Sequence, residues 1–240
     1  MFHWRKYAKQ GLQRALETKT RVSLVVPAVF EEEHPMMYEL ICGIPVIART
    51  LMALDQMPQV QEIIVVVRET EIFRMANLCK LFQIDRVRKV VAAKEAGHAA
   101  VTVGVYECEP EAEYIGICDP LSPFVTKSML KGAIQGAEAC GAAAPAVAVR
   151  DTIKIVRDGV ICETPERASL QVMQSPLLVE ASLLKAALQK AQESGKQTGD
   201  VPSMLEDLGI PLRLTEGAEE NMQVRQVADI PAAEAILQWR

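Results

Sequence analysis

The chain has 240 residues, half of them hydrophobic and few of them aromatic, with a formal net charge of −5. This length and apolar content suit one α/β domain with a large core, and the acidic balance gives no electrostatic footprint for nucleic acid. No apolar run approaches membrane-spanning length and no signal-peptide pattern opens the sequence, so a cytoplasmic protein with no membrane partner is expected. Six cysteines (Cys42, Cys79, Cys108, Cys118, Cys140 and Cys162) stand far apart with no Cys-x-x-Cys pair. They read as small buried hydrophobes in a reducing compartment, not as a zinc site or a disulfide frame.

Residues 1–20 precede the first strand signal. Trp4, Ala8, Leu12, Ala15 and Leu16 recur at helical spacing while Arg5, Lys6, Lys9 and Arg14 fall mostly off that stripe, which predicts an amphipathic helix docked on its own domain. Residues 21–240 read as a single unit. Val22–Val26 is a continuous apolar run, as a parallel strand buried on both faces requires. Ile44, Ile47, Ala48, Leu51 and Leu54 share one helical face after Gly43. Strands are then expected at Glu62–Val67, Val87–Ala92, Tyr114–Cys118 and Ala143–Val149, alternating with helices at Glu69–Phe82, His98–Cys108 and Thr126–Cys140. Helices at Val179–Glu193 and Asp200–Leu208, a strand at Pro211–Leu214 and a helix at Ile230–Gln238 complete the pattern. Strands alternating with helices of this length imply βαβ units and a mostly parallel, Rossmann-like sheet flanked by helices.

Between the fifth strand and the later helices lies a hairpin signal, Asp158-Gly159 flanked by strand-like runs, within an arm at about 151–167. Arg150, Asp151, Thr152, Lys154, Thr164 and Arg167 crowd the ends of this ribbon. By composition alone they read equally well as ordinary solvated side chains and as a functional cluster. In an open α/β sheet the ligand crevice lies outside the carboxyl ends of the strands, which points to loops Pro27–Pro35, Val67–Thr70, Ala93–Ala100 and Asp119–Pro123. Asp119, at the end of the fourth strand, can hold a metal or ribose hydroxyls, or cap the turn that Asp-Pro initiates.

Several segments carry a resemblance in consistent order and spacing: Ala146-Val-Ala-Val-Arg-Asp-Thr-Ile-Lys154, Glu163-Thr-Pro-Glu-Arg-Ala-Ser-Leu170, Gln174-Ser-Pro176, Leu212-Arg-Leu-Thr-Glu-Gly217 and Glu220-Asn-Met222. From about Val22 to the C-terminus the chain resembles the methylerythritol phosphate cytidylyltransferases of isoprenoid biosynthesis. The resemblance implies transfer of CMP from CTP to 2-C-methyl-D-erythritol 4-phosphate with release of pyrophosphate. It also implies a magnesium ion, and a homodimer in which the hairpin arm reaches over the partner's site. Positioning and positive charge carry such chemistry, because negative charge builds on the phosphoryl oxygens.

On the sugar-phosphate side the matching residues are present. Asp119, the expected substrate and metal residue, matches the family's Asp after the fourth strand. Thr152 and Arg167 match the Thr and Arg that the arm offers to the sugar phosphate, and Thr198 matches a further family position. On the nucleotide side the departures are many. After Pro27-Ala28 the family has Ala-Gly-x-Gly-x-Arg, whereas this chain has Val29-Phe30-Glu31-Glu32-Glu33-His34. Glycines there let backbone N–H groups approach phosphate, and three glutamates repel it. The family's two catalytic lysines fall at Met36 and Gln223. Its Gly-Gly-x-x-Arg-x-x-Ser becomes Ala93 to Ala100, and its His-Asp-Ala-Ala-Arg-Pro becomes Cys118-Asp119-Pro120-Leu121-Ser122-Pro123. Loss of one charge-stabilising donor costs a factor of ~10²–10³ in rate, so these changes together imply weak or absent turnover. His34, Arg49 and Lys94 are the nearest compensating cations in sequence. Two alternatives stand beside the family reaction. One is a non-catalytic dimer binding a sugar phosphate or a protein partner. The other is a transferase with a different donor, with Glu31, Glu32 and Asp119 as metal ligands.

Overall fold

A computed structural model of the chain describes residues 20–31, 35–194 and 200–239. The amphipathic helix expected over 1–20 lies outside these residues except for Thr20, whose hydroxyl donates to Glu138 (3.1 Å). Strand β1 (Val22–Pro27) runs through the centre of an eight-stranded sheet. Its apolar run feeds two cores at once. Val22, Leu24 and Val26 pack into one face and Val25 into the other, because successive side chains of a strand point to opposite faces.

Strands β2 (Leu40–Ile41) and β3 (Ile44–Pro45) form a small hairpin before α1 (Val46–Asp55), so the helix expected from Ile44 starts two residues later. There follow β4 (Val60–Val67), α2 (Ile72–Leu81), β5 (Val87–Ala92), α3 (His98–Tyr106), β6 (Tyr114–Ile117), α4 (Lys127–Cys140) and β7 (Ala142–Ala148). The hairpin is present as β8 (Ile155–Arg157) and β9 (Val160–Glu163), paired antiparallel around Asp158-Gly159. Both turn residues take positive φ, 49° and 77°, as a tight two-residue connection demands.

Beyond the hairpin the structure departs from expectation. Gln171–Met173 is strand β10 and Leu177–Glu180 is strand β11, so the helix α5 (Ala181–Ser194) begins after the predicted Val179. Leu177, Leu178 and Val179 are an apolar run buried on both sides, a pattern that periodicity cannot separate from a helix start. Helix α6 (Val201–Asp207), strand β12 (Leu212–Glu216) and helix α7 (Ile230–Trp239) close the chain.

The strand order is β12, β7, then β10 and β11 along one edge of β7, then β6, β1, β4 and β5. Every pairing in this sheet is parallel except those of β10 and β11, which are antiparallel. Helices α1, α2, α4 and α7 contribute to the core on one face, and α3, α5 and α6 to the core on the other. Helix α3 lies close on the sheet because Gly104 has no side chain; a Cβ there would collide with Val25 Cγ1.

Of the cysteines, Cys79, Cys108 and Cys118 are buried as expected, but Cys42 and Cys162 are exposed and Cys140 is half-buried. Cys42 lies in the tight β2–β3 turn and Cys162 on the solvated hairpin, where there is no core to receive them. All six are free thiols. Among the described residues, no helix is long and apolar enough to cross a membrane.

Candidate functional site

The carboxyl ends of β1, β4, β5 and β6 meet at one edge of the sheet, and the loops that leave them are tied together by a guanidinium. Arg68, the residue after β4, donates to the carbonyls of Phe30, Glu31 (3.4 Å) and Lys94 (3.3 Å). The cation at this edge is therefore spent on backbone acceptors. The loop after β1 is also drawn down onto the sheet. The Ala28 amide donates to Val66 O (2.7 Å), and Ala28 and Val29 are buried in opposite cores. A phosphate cradle needs several amides aimed outward, and in this loop the first of them is committed to the sheet. Phe30 packs partly against the core and Glu31 is exposed; Glu32, Glu33 and His34 lie outside the described residues.

Met36 follows on the turn Pro35–Tyr38 and is only 4% exposed, inside the same core as α1 and β4. The position at which the resemblance expects a lysine is thus filled by core. Of the compensating cations anticipated, Arg49 bonds the carbonyls of Ile41 (2.8 Å) and Cys42 (3.3 Å) in the β2–β3 hairpin, at which its sequence position gave no hint. Lys94 is exposed beside the carbonyl that Arg68 holds.

The other half of the edge is densely wired around Asp119. Its backbone N–H donates to Ser175 Oγ (3.0 Å), and its Oδ1 accepts from the Leu121 N–H (2.7 Å). Its Oδ2 accepts from Gln223 Nε2 (2.9 Å) and lies 3.8 Å from the Arg225 guanidinium. Gln223 in turn accepts from Arg225 Nε through its Oε1 (2.7 Å). Gln174, in the link between β10 and β11, holds the C-terminal loop in place. Its amide donates to Ala218 O (2.8 Å) and Asn221 O (3.3 Å) and accepts from the Ala218 N–H (3.0 Å). Gly217 is required at that crossing, since a Cβ would meet Gln174 Oε1 at 2.5 Å and Ala146 O at 2.7 Å. The Gln174-Ser-Pro176 and Glu220-Asn-Met222 segments thus join in space, with Asn221 Nδ2 also donating to Ser175 O (3.4 Å).

The remaining expected residues lie away from this cluster within the chain. Thr152 is exposed in the segment leading to the hairpin, and Arg167 is exposed with its guanidinium on Arg150 O (3.1 Å). Thr198 lies outside the described residues. Arg225 is the site residue that sequence reasoning passed over. Its place depends on the Gln223 amide, which no residue pattern in the sequence encodes.

A magnesium ion at this edge would rest on Asp119 and the substrate's own phosphates, since each Asp119 oxygen accepts an N–H donor and carries a second lone pair. Among the described residues no group of three or more His, Cys, Asp or Glu side chains could hold a metal. Glu32, one of the three carboxylates considered as ligands, is outside them.

The model for 2-C-methyl-D-erythritol 4-phosphate cytidylyltransferase matches residues 22–239. The chain belongs to that family. The cytidylyltransferase of Syntrophus aciditrophicus is 32% identical over 226 residues, covering 91% of this chain and 97% of that protein. That of Caldanaerobacter subterraneus is 33% identical over 204 residues, with coverage of 84% and 89%. The crystal structure of the 4-diphosphocytidyl-2C-methyl-D-erythritol synthase from Anaerococcus prevotii matches the fold with a TM-score of 0.82 at 21% identity, covering 91% of this chain and 99% of that one. Met36 and Gln223 are the two positions at which the resemblance expects lysines. One is buried in the core and the other is an amide bridging Asp119 to Arg225.

Proposed function

We propose that this chain is a cytoplasmic, dimeric member of the methylerythritol phosphate cytidylyltransferase family. It keeps the sugar-phosphate half of the family's site and has lost most of the nucleotide half. It binds 2-C-methyl-D-erythritol 4-phosphate beside Asp119, with Thr152 and Arg167 contributed by the hairpin arm of the partner. It transfers CMP from CTP only marginally or not at all. The observation that carries this reading is the fate of the two lysine positions, where both side chains are uncharged and both have a structural task. Two missing cations at a phosphoryl-transfer site remove transition-state stabilisation worth at least a factor of ~10²–10³, and among the described residues of the loop after β1 the Ala28 amide is committed to the sheet.

Pyrophosphate release from magnesium–CTP and methylerythritol phosphate tests the reading, together with calorimetric titration of each compound alone. Binding of the sugar phosphate with turnover at least ~10³-fold below an intact relative is expected. Turnover within tenfold of that relative would overturn it. One observation favours a second reading, an active enzyme with a remodelled site: the Arg225 guanidinium at 3.8 Å from Asp119 puts positive charge back near the position of the second lysine. The same assay separates the two.

A further inference from the structure

We infer that Gln223 and Arg225 form a matched pair that relocates the site's phosphate-binding cation, so that Arg225 takes the sugar phosphate's phosphoryl group. This inference rests on the reading that the sugar-phosphate half-site is kept. The geometry is specific. Gln223 Nε2 donates to Asp119 Oδ2 at 2.9 Å while its Oε1 accepts from Arg225 Nε at 2.7 Å, which fixes the amide in one orientation. An amide can serve both neighbours because it carries a donor and an acceptor; a lysine at 223 has donors alone and would set two cations against each other. The absence of lysine at 223 and the presence of arginine at 225 therefore belong together.

Arg225 is also held in position. Its backbone N–H donates to Asp229 Oδ2 (2.8 Å), which accepts from the Gln226 N–H as well (3.0 Å). Its side chain is 65% exposed, against 27% for Asp119. The guanidinium thus lies at the mouth of the cluster, partly satisfied by Gln223 and Asp119 and still open to solvent. A guanidinium fixed along one edge presents further N–H donors in a planar fork suited to phosphate. Asp119 is left to its two backbone and amide donors and to a sugar hydroxyl. The site so built binds a phosphate monoester through the Arg225 fork, with no divalent cation between protein and phosphate.

The test is calorimetric titration of the full chain with methylerythritol phosphate and, separately, with inorganic phosphate, in the presence of magnesium or of a chelator. The proteins are the wild type, Arg225→Gln, Arg225→Lys and the swap Gln223→Lys/Arg225→Gln. Wild-type affinity for the sugar phosphate is expected to be the same with magnesium and with chelator. Arg225→Gln should weaken it tenfold or more, Arg225→Lys less, and the swap should restore it to within a few-fold. Such a pattern would not arise from a structural role, which the swap would not rescue. If Arg225→Gln binds the sugar phosphate as tightly as the wild type, or chelator abolishes binding, the inference is overturned while the sugar-phosphate reading stands. Arg225-dependent binding of inorganic phosphate without binding of the sugar phosphate would keep the cation and remove the proposed ligand. If neither compound binds, both fall.

Discussion

Gln223 donates its side-chain amide to Asp119 Oδ2 at 2.9 Å across 104 residues of sequence, closing the C-terminal loop onto the end of β6. Asp119 is the hub of this contact, and its two oxygens carry unequal loads. Oδ1 satisfies the N–H of the buried Leu121, whereas Oδ2 faces Gln223 and the largely exposed Arg225. Asp119→Asn keeps an acceptor for Leu121 and is expected to cost under about 1 kcal/mol, since a partly exposed ion pair contributes little. Asp119→Ala strands that N–H and should cost about 1–3 kcal/mol. Urea unfolding of the two variants measures the difference; equal losses would show that the Leu121 contact contributes nothing.

Reinstating the family's first lysine should not repair the nucleotide site. Met36 is 4% exposed among the side chains of α1, β4 and the turn that carries it. An ammonium placed there loses its hydration without a partner, so Met36→Lys is expected to destabilise the fold by about 2–4 kcal/mol. Thermal unfolding checks this. A variant as stable as the wild type, with CTP affinity gained, would mean that the turn Pro35–Tyr38 moves freely between core and site.

The fold was legible where burial is two-sided and the period unambiguous. The apolar runs of β1 and β4 and the amphipathic α4 stand within two residues of where their side chains implied. It was illegible at Leu177–Glu180, where four residues match a strand and a helix start equally and only pairing to β6 and β7 decides. The site shows the same division. Asp119 follows a clear strand and so had a predictable place, while Met36 had chemistry but no location until the core enclosed it. Arg225 was invisible because its role depends on the orientation of one amide, at Gln223, which no residue pattern encodes.

Buried thiols set an alkaline limit on stability. Burial pushes Cys79 up to about 11 and Cys108 up to about 12 from an ordinary value of 9.0, the latter with help from Glu62. The folded values lie above the unfolded ones, so the stabilisation is complete below pH 9 and is lost as pH rises through 11 to 12. Burial and then Glu71 raise Tyr38 as well, which adds to the same alkaline slope. Urea unfolding at pH 8 and pH 10.5 should show a loss that Cys79→Ala with Cys108→Ala partly flattens. An unchanged slope in that double variant would exclude these two thiols as its source. At pH 8 a maleimide should label Cys42 and Cys162, both exposed, well before Cys79, Cys108 and Cys118.

The hairpin should determine oligomeric state without determining stability. Val156, Val160 and Ile161 are 52%, 65% and 58% exposed in the protomer, an apolar surface on a two-stranded ribbon that is marginal alone in water. Within the protomer β8 and β9 pair with each other and not with the central sheet, and Lys154 Nζ on Thr164 Oγ1 (2.8 Å) closes the base of the ribbon. A second copy of the chain is the occupant that the family reading supplies for this surface. Replacing residues 155–162 by a short glycine-containing turn removes the ribbon without opening the core. Sedimentation is expected to change from dimer to monomer while the thermal midpoint shifts by only a few degrees, and sugar-phosphate binding should weaken because Thr152 and Arg167 lose their seat over the neighbouring site. Cys162 gives an independent reading in the intact chain: its labelling should slow as protein concentration rises through the dimer dissociation constant. A chain that stays dimeric without the ribbon, or a Cys162 whose rate ignores concentration, would move the dimer contact to another face and leave the arm as a solvated hairpin.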